Sequence, residues 1–390
     1  MATLDTATIG QIERDGQLPL YAKRDIALVR GAGAYLFDAD GRRYLDAMSN
    51  YGVAVLGHAD PVYAAALADQ LATLATGHQS FGNDARAALL LALREIAPAG
   101  LTRAFLSNSG AEAIEAALKF ARLATGRAKV VALRRAYHGR TLGALAATAD
   151  QKYRAPFEPL GLPVTHVPFD DAEALTAAVD GETAAVILEP IQGEAGVHPA
   201  SDAFLRTARE VTSANGSLLI ADEIQTGFRT GAPFAISRAG VVPDILCTAK
   251  ALANGFPIGL TLTSESVGGS VPPGAHGSTF GGNPLACRAA LVTLAALRER
   301  DLYAHSAALG EEILERVTAL GSPKVRQVRG RGMMIGIELK ERVTPTLRGL
   351  QERGILALPA GNLTLRLLPP LIWEQPQVDE LLAALGDVLT

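Results

Sequence analysis

Short apolar, β-branched runs recur through the middle of the chain, alternating with stretches whose apolar residues return every three or four positions. The runs are RAFLS (103–107), KVVAL (129–133), AAVIL (184–188), SLLIA (217–221), DILCTA (244–249) and IGLTLT (258–263). Each has the length of a strand, and their alternation with helical patterns predicts a mostly parallel sheet. The segment AEAIEAALKFARLATG (111–126) sets Ile114, Leu118 and Ala121 on one helical face and stops at Gly126. Further helices are predicted over 202–214 and 283–300.

After about residue 300 the pattern changes to an amphipathic helix near 306–320, the strand-like segments KVRQVRGRG and MMIGIEL, and a last helix near 375–389. Near the start, Asp40-Gly41 lies between two alternating runs in GAYLFDADGRRYLD and reads as a hairpin. The expected fold is therefore α/β, in two parts. Residues 51–300 form a large domain, and residues 1–50 join residues 301–390 in a small α+β domain.

Composition narrows the classes. Apolar residues make up 48% and charged ones 19% of the 390 residues, the balance of a globular chain with a sizeable core. The formal charge of -4 is spread along the sequence without a Lys/Arg block, which argues against a nucleic-acid partner. Cys247 and Cys287 are the only cysteines, too few for a disulfide framework or a zinc site, so a reducing cytoplasm is expected and no metal. The opening MATLDTATIGQIERDGQ is unlike a signal peptide, and no apolar run approaches the roughly 20 residues that span a bilayer.

Candidate chemistry sits at the strand ends. In a parallel sheet, loops and helix N-termini converge outside the carboxyl ends of the strands. There the sequence places Asn108-Ser109-Gly110, Glu189, Asp222 and Lys250, each directly after an apolar run. Taken singly, Ser109-Gly110-Ala111-Glu112 is an ordinary N-cap, Asp222 a buried structural carboxylate and Lys250 a solvent-facing lysine. Together they offer an amine able to form an imine, a carboxylate able to keep a pyridine nitrogen protonated, and a helix start open to an anion. Pyridoxal phosphate requires that set.

Seven segments in order, FLSNSGAEA (105–113), AYHGRT (136–141), LEPIQGEAGV (188–197), ADEIQTGF (221–228), TAKAL (248–252), HGSTFGGNPLA (276–286) and LRLLPPL (365–371), resemble the class III aminotransferases. The resemblance implies the fold-type I architecture of pyridoxal-phosphate enzymes, with a large and a small domain, and a homodimer with shared active sites. It casts Lys250 as the lysine that tethers the cofactor and shuttles the proton, and Asp222 as the partner of the pyridine nitrogen. Gln225 falls near the phenolic oxygen, Gly110 and Ala111 at the phosphate with Ser109 beside them, and Tyr137 on the ring face. Thr279 matches a residue that binds the phosphate of the neighbouring subunit, and Ser278 a substrate contact. Arg140 matches the residue that holds a remote substrate carboxylate, and Arg366 the one that grips the α-carboxylate of glutamate. Glu189 resembles the switch that pairs with Arg366 and releases it for glutamate or 2-oxoglutarate.

Departures from the family pattern are the QTGFRTG segment (225–231), one residue short, with Ile114, Tyr137 and Asn254 at positions where Asn, Phe and Gly are common. The subgroup most resembled takes the δ-amine of N2-acetylornithine to 2-oxoglutarate in arginine biosynthesis, giving glutamate and N-acetylglutamate 5-semialdehyde. The segments YGVAVLGH (51–58), SPKVRQVRGRG (322–332) and ILALPAG (355–361) also resemble relatives acting on lysine or ornithine linked to an amino-group carrier protein. Free ornithine, succinylornithine and 4-aminobutyrate remain open as donors, and an aminomutase is a further alternative.

Overall fold

A computed structural model describes residues 4–389; Met1, Ala2, Thr3 and Thr390, at the outer ends of the expected 1–50 and 301–390 segments, lie outside the described residues. The apolar runs form one seven-stranded sheet. Numbered in chain order its strands are β1 (Leu101–Ser107), β2 (Lys129–Leu133), β3 (Val164–Val167), β4 (Thr183–Leu188), β5 (Leu218–Asp222), β6 (Ile245–Thr248) and β7 (Gly259–Ser264). Their order across the sheet is β1-β7-β6-β5-β4-β2-β3. Every residue of β4 is buried, as expected for a strand covered on both faces.

The predicted parallel arrangement holds across β3, β2, β4, β5 and β6, but β7 runs antiparallel to both its neighbours. The connection from β6 to β7 spans only Ala249–Ile258, shorter than the roughly dozen residues a parallel crossover needs. The chain therefore turns back beside β6, and β1 closes the edge in the same direction as β6.

Helices cover both faces. The helix Gly110–Thr125 carries Ala113, Ile114, Ala116, Ala117 and Ala121 on its buried side, against Ile187, Ile220 and Ile245. Its alanines permit close approach to the sheet, while Ile114 contributes roughly 1.5–3 kcal/mol by burial. On the opposite face the helix Asp202–Asn215 packs Phe204, Leu205 and Ala208 into a cluster with Leu219, Ala221 and Leu246. Among the described residues no helix is long and apolar enough to cross a membrane.

Two smaller sheets flank the large one. Leu28–Ala32, Tyr35–Asp38 and Arg43–Asp46 form an antiparallel meander, joined in parallel by Ile355–Leu356 from the other end of the chain. Asp38 Oδ1 accepts from the amides of Asp40 and Arg42, closing the turn at Asp40-Gly41. The second sheet orders Val325–Arg331, Met334–Leu339, Thr364–Leu367 and Leu358–Ala360, with Arg366 opposite Gly336 on one side and Leu358 on the other. That central position carries Arg366 towards the ends of the large sheet. The helix expected near 306–320 begins earlier, at Leu302, directly after Asp301, whose φ of 48° breaks the preceding helix.

Candidate active site

At the carboxyl edge of the large sheet lies a cavity of about 390 Å³, lined among others by Ser109, Gly110, Ala111, Tyr137, Glu189, Asp222, Gln225 and Lys250. Arg140 also lines it. With Asn108, ten residues singled out in the sequence thus meet at one place, because β1, β2, β4, β5 and β6 all end there.

One wall is the start of the helix Gly110–Thr125. Ser109 is its N-cap, its Oγ accepting from the Glu112 amide at 3.2 Å, while Glu112 Oε2 accepts from the Asn108 amide at 2.9 Å. The amides of the first helical turn carry partial positive charge and favour an anion. The neighbouring backbone approaches very closely: a Cβ on Gly259 would sit 2.2 Å from the Ser109 carbonyl oxygen. Only glycine permits that wall.

Asp222 closes β5 and is buried. Its Oδ1 accepts from the Ile224 amide at 3.0 Å, and its Oδ2 lies 2.6 Å from His138 Nδ1. Burial opposes charge on His138, but the hydrogen bond and charge of Asp222, helped by Glu189, outweigh it and hold the imidazole above its ordinary value. The His138 amide in turn donates to Thr148 Oγ1 at 2.9 Å. The carboxylate is thereby fixed by a neighbour whose protonated form it favours. Sequence reasoning passed over His138, although it adjoins Tyr137 in AYHGRT.

Lys250 begins the short 3₁₀ turn after β6 at a φ of 37°, in the left-handed region that side chains other than glycine rarely adopt. Burial pushes its ammonium below the ordinary amine range, against the pull of the Glu194 carboxylate. That shift favours the neutral amine, the nucleophile that imine chemistry needs.

The expected pair of Glu189 with Arg366 is not formed. Arg366 Nη1 lies 2.6 Å from Glu194 Oε1 and donates to Gln225 Oε1 at 3.0 Å, and Gln225 Nε2 donates to Glu194 Oε1 at 3.1 Å. Glu189 instead accepts from the amides of Tyr137 (2.9 Å) and Gly193 (3.2 Å). The reason is topological: Glu189 directly follows β4 and stays at the carboxyl edge of the sheet, whereas the short strand Ile191–Gln192 carries Glu194 outward to the small sheet bearing Arg366. Burial pushes the Glu189 carboxyl well above its usual range, opposed by His138. Arg366 holds Glu194 below its usual value despite burial.

Arg140 Nε donates to the Tyr137 hydroxyl at 3.3 Å, and its guanidinium stands 4.2 Å from the Tyr153 ring centre. Ser278 is outside the cavity wall but accepts from Asn108 Nδ2 at 3.1 Å, and Asn108 lines the cavity. Thr279 is exposed and does not line it. Of the shortened QTGFRTG segment only Gln225 lines the cavity; Arg229 is fully buried and donates to the Met333 carbonyl at 2.8 Å.

A helix start whose free amides favour an anion, a buried carboxylate and a half-buried amine around one cavity fit pyridoxal phosphate: Gly110 and Ala111 for the phosphate, Asp222 for the pyridine nitrogen, Lys250 for the aldehyde carbon. The family model described as Aminotransferase class-III matches residues 20–389. The chain belongs to the class III aminotransferases, and its fold is the fold-type I architecture of that group. It is 44% identical over 374 residues to a [LysW]-aminoadipate semialdehyde transaminase of Deinococcus radiodurans, covering 95% of this chain and 87% of that protein. It is also 44% identical over 375 residues to an acetylornithine aminotransferase of Mycolicibacterium smegmatis, covering 95% of each. Among solved structures, the ornithine aminotransferase of Toxoplasma gondii, with pyridoxal phosphate partly occupying its active site, superposes with a TM-score of 0.95 at 31% identity, covering 100% of this chain and 95% of that one.

Proposed function

We propose that this aminotransferase moves the terminal amine of an ornithine or lysine whose α-nitrogen is acylated onto 2-oxoglutarate, giving a semialdehyde and glutamate. Pyridoxal phosphate is the cofactor, and when bound it supplies an electron sink next to the reacting carbon. The observation that supports this reading is a pair of arginines at Lys250's cavity: Arg140 lines it with no carboxylate partner, and Arg366, buried behind Gln225 of its wall, is paired with one. Arg366 is held by Glu194 and Gln225, whereas Arg140 faces only tyrosines.

A donor reacting at its terminal amine brings no carboxylate near the reaction centre, so Glu194 keeps Arg366 occupied while Arg140 takes the distant carboxylate. Glutamate or 2-oxoglutarate carries a carboxylate beside the reacting carbon and displaces Glu194 from Arg366, which then binds it bidentately. Lys250, whose charged form burial disfavours, would tether the cofactor and then carry a proton as general acid and base. Asp222, oriented by His138, would keep the pyridine nitrogen protonated. Glu189 orients the Tyr137 backbone, and Tyr137 would cover the ring. Ser278 would act on substrate through Asn108.

Thr279 is exposed, and Phe280 beside it is 66% exposed, a large apolar group left for another chain to cover. That supports a homodimer in which Thr279 serves the neighbouring subunit's phosphate. Both cysteines are buried and unpaired, as suits a reducing cytoplasm. N2-acetylornithine as donor places the reaction in arginine biosynthesis. A donor linked to a carrier protein is the second reading, supported by the identity to a [LysW]-aminoadipate semialdehyde transaminase and by a second cavity of about 950 Å³ that shares Tyr137 with the first.

The test compares kcat/KM for N2-acetylornithine, carrier-linked lysine, free ornithine and 4-aminobutyrate with 2-oxoglutarate as the fixed acceptor. Acylated donors should lead by about tenfold or more. Equal efficiencies, or a lead for 4-aminobutyrate, would contradict the reading.

A further inference from the structure

One side chain of the active-site wall has no task in the chemistry above. Asn50 lines the cavity from the turn Ser49–Gly52 and is exposed. The other polar side chains of that wall are engaged with neighbours: Asn108 and Ser109 with Glu112, Tyr137 with Arg140, His138 with Asp222, and Gln225 with Arg366. Glu189 accepts two backbone amides. Among the described residues, Asn50 and Lys250 are the two polar side chains of the wall without a hydrogen-bond partner. Lys250 has a cofactor to hold. Asn50 is left with a free donor and a free acceptor.

The turn that presents Asn50 is costly to form. Ser49, Asn50 and Tyr51 have φ of 38°, 51° and 63°, and Gly52 follows at 86°, four successive residues in the left-handed region. Three of them are not glycine. Buried Asp46 holds the start of the turn, its Oδ1 accepting from the amides of Met48 at 3.0 Å and Ser49 at 2.8 Å. Ser49 Oγ donates to the Leu368 carbonyl at 2.6 Å, and Arg229 Nη2 reaches the same hydroxyl at 3.4 Å. A Cβ on Gly52 would stand 3.2 Å from Arg229 Nε, so the guanidinium packs directly beneath the turn. Burial pushes that guanidinium down to about 9, eased by the charge of Asp46, and its hydrogen bonds go to two carbonyls and the Ser49 hydroxyl. A strained backbone propped by a buried cation, at the wall of an active site, is a preorganised contact.

Once Arg140 holds the carboxylate of an Nα-acylated donor and its terminal amine reacts, the polar groups left on that donor are the amide N–H and the acyl carbonyl. A carboxamide carries the matching acceptor and donor. We infer that Asn50 is a specificity-determining residue that reads the donor's secondary amide, its Oδ1 accepting from the N–H and its Nδ2 donating to the acyl oxygen. The inference rests on the acylated-donor reading above and names the residue that recognises the acyl linkage, whatever lies beyond the carbonyl.

The test sets N2-acetylornithine against its ester counterpart, 2-acetoxy-5-aminopentanoate, which keeps the carboxylate, the terminal amine and the acyl carbonyl but lacks the N–H. The loaded enzyme should prefer the amide by about tenfold in kcat/KM, because the ester leaves an acceptor in the site unmet. Asn50→Gly removes the carboxamide and keeps the turn, since glycine takes the left-handed conformation without strain. It should lower kcat/KM for N2-acetylornithine about tenfold, mainly through KM, until the two donors react alike. An amide preference that survives in Asn50→Gly, or no preference in the parent enzyme, overturns the assignment and leaves the acylated-donor reading standing. A loss in the glutamate half-reaction as large as that with N2-acetylornithine identifies a merely structural role and overturns it too. If neither acylated donor reacts while glutamate does, the acylated-donor reading itself falls and the role of Asn50 with it.

Discussion

The floor of the cavity and its rim are made from different parts of the fold. Asp222, Lys250 and the Ser109–Ala111 turn are placed by the ends of strands in one sheet, Asp222 buried and Lys250 half-buried. The rim takes Arg140 from a loop, and Arg366 reaches it through Gln225 from a separate sheet. Strand ends hold atoms to the tolerance that bond making requires. Loops and borrowed elements hold charges at distances that a substrate can select among. The floor therefore sets the reaction and the rim sets the donor.

That division predicts that floor substitutions act on every substrate and rim substitutions on one. The largest effect is Lys250→Ala, which should cut turnover of donor and acceptor alike by about 10⁴-fold or more in single-turnover assays of each half-reaction. A loss confined to one half-reaction would break the comparison. Next, Arg366→Ala should lower kcat/KM for 2-oxoglutarate and glutamate by about 10²-fold, while the donor half-reaction stays within about threefold. Arg140→Ala should give the mirror image, a loss of about tenfold to 10²-fold for N2-acetylornithine with the glutamate half-reaction spared.

The smallest effect concerns stability. Glu223 is buried behind the floor, accepting from the Ile236 amide at 2.7 Å and from the Thr226 hydroxyl, and burial raises its carboxyl from 4.5 to about 7. The folded state thus binds this proton where the unfolded chain has released it. Its contribution is complete below about pH 4.5 and is lost as pH rises through about 7, by about 3 kcal/mol at most. Denaturant midpoints for Glu223→Gln should show a shallower fall in stability from about pH 5 to about pH 8 than the parent chain.

The same division governs what the sequence disclosed. Floor residues were legible because a strand's end is readable from its apolar run, and parallel strands bring their ends to one edge. Glu189 and Glu194 were not separable that way. Both stand in LEPIQGEAGV, and which of them meets Arg366 depends on a two-residue strand, Ile191–Gln192, and on a sheet built far along the chain. His138 was hidden for a related reason: its partner Asp222 lies 84 positions away, and an imidazole next to an aromatic residue reads as core. The antiparallel course of β7 follows from a loop length that a strand-by-strand reading does not weigh.

The most direct measurement is to treat the purified protein with pyridoxal phosphate, reduce it with borohydride and locate the modified lysine by peptide mass spectrometry. A single pyridoxyl adduct on Lys250, absent after prior exposure to glutamate, is the result this account predicts. An adduct spread over exposed lysines, or none at Lys250, would contradict it.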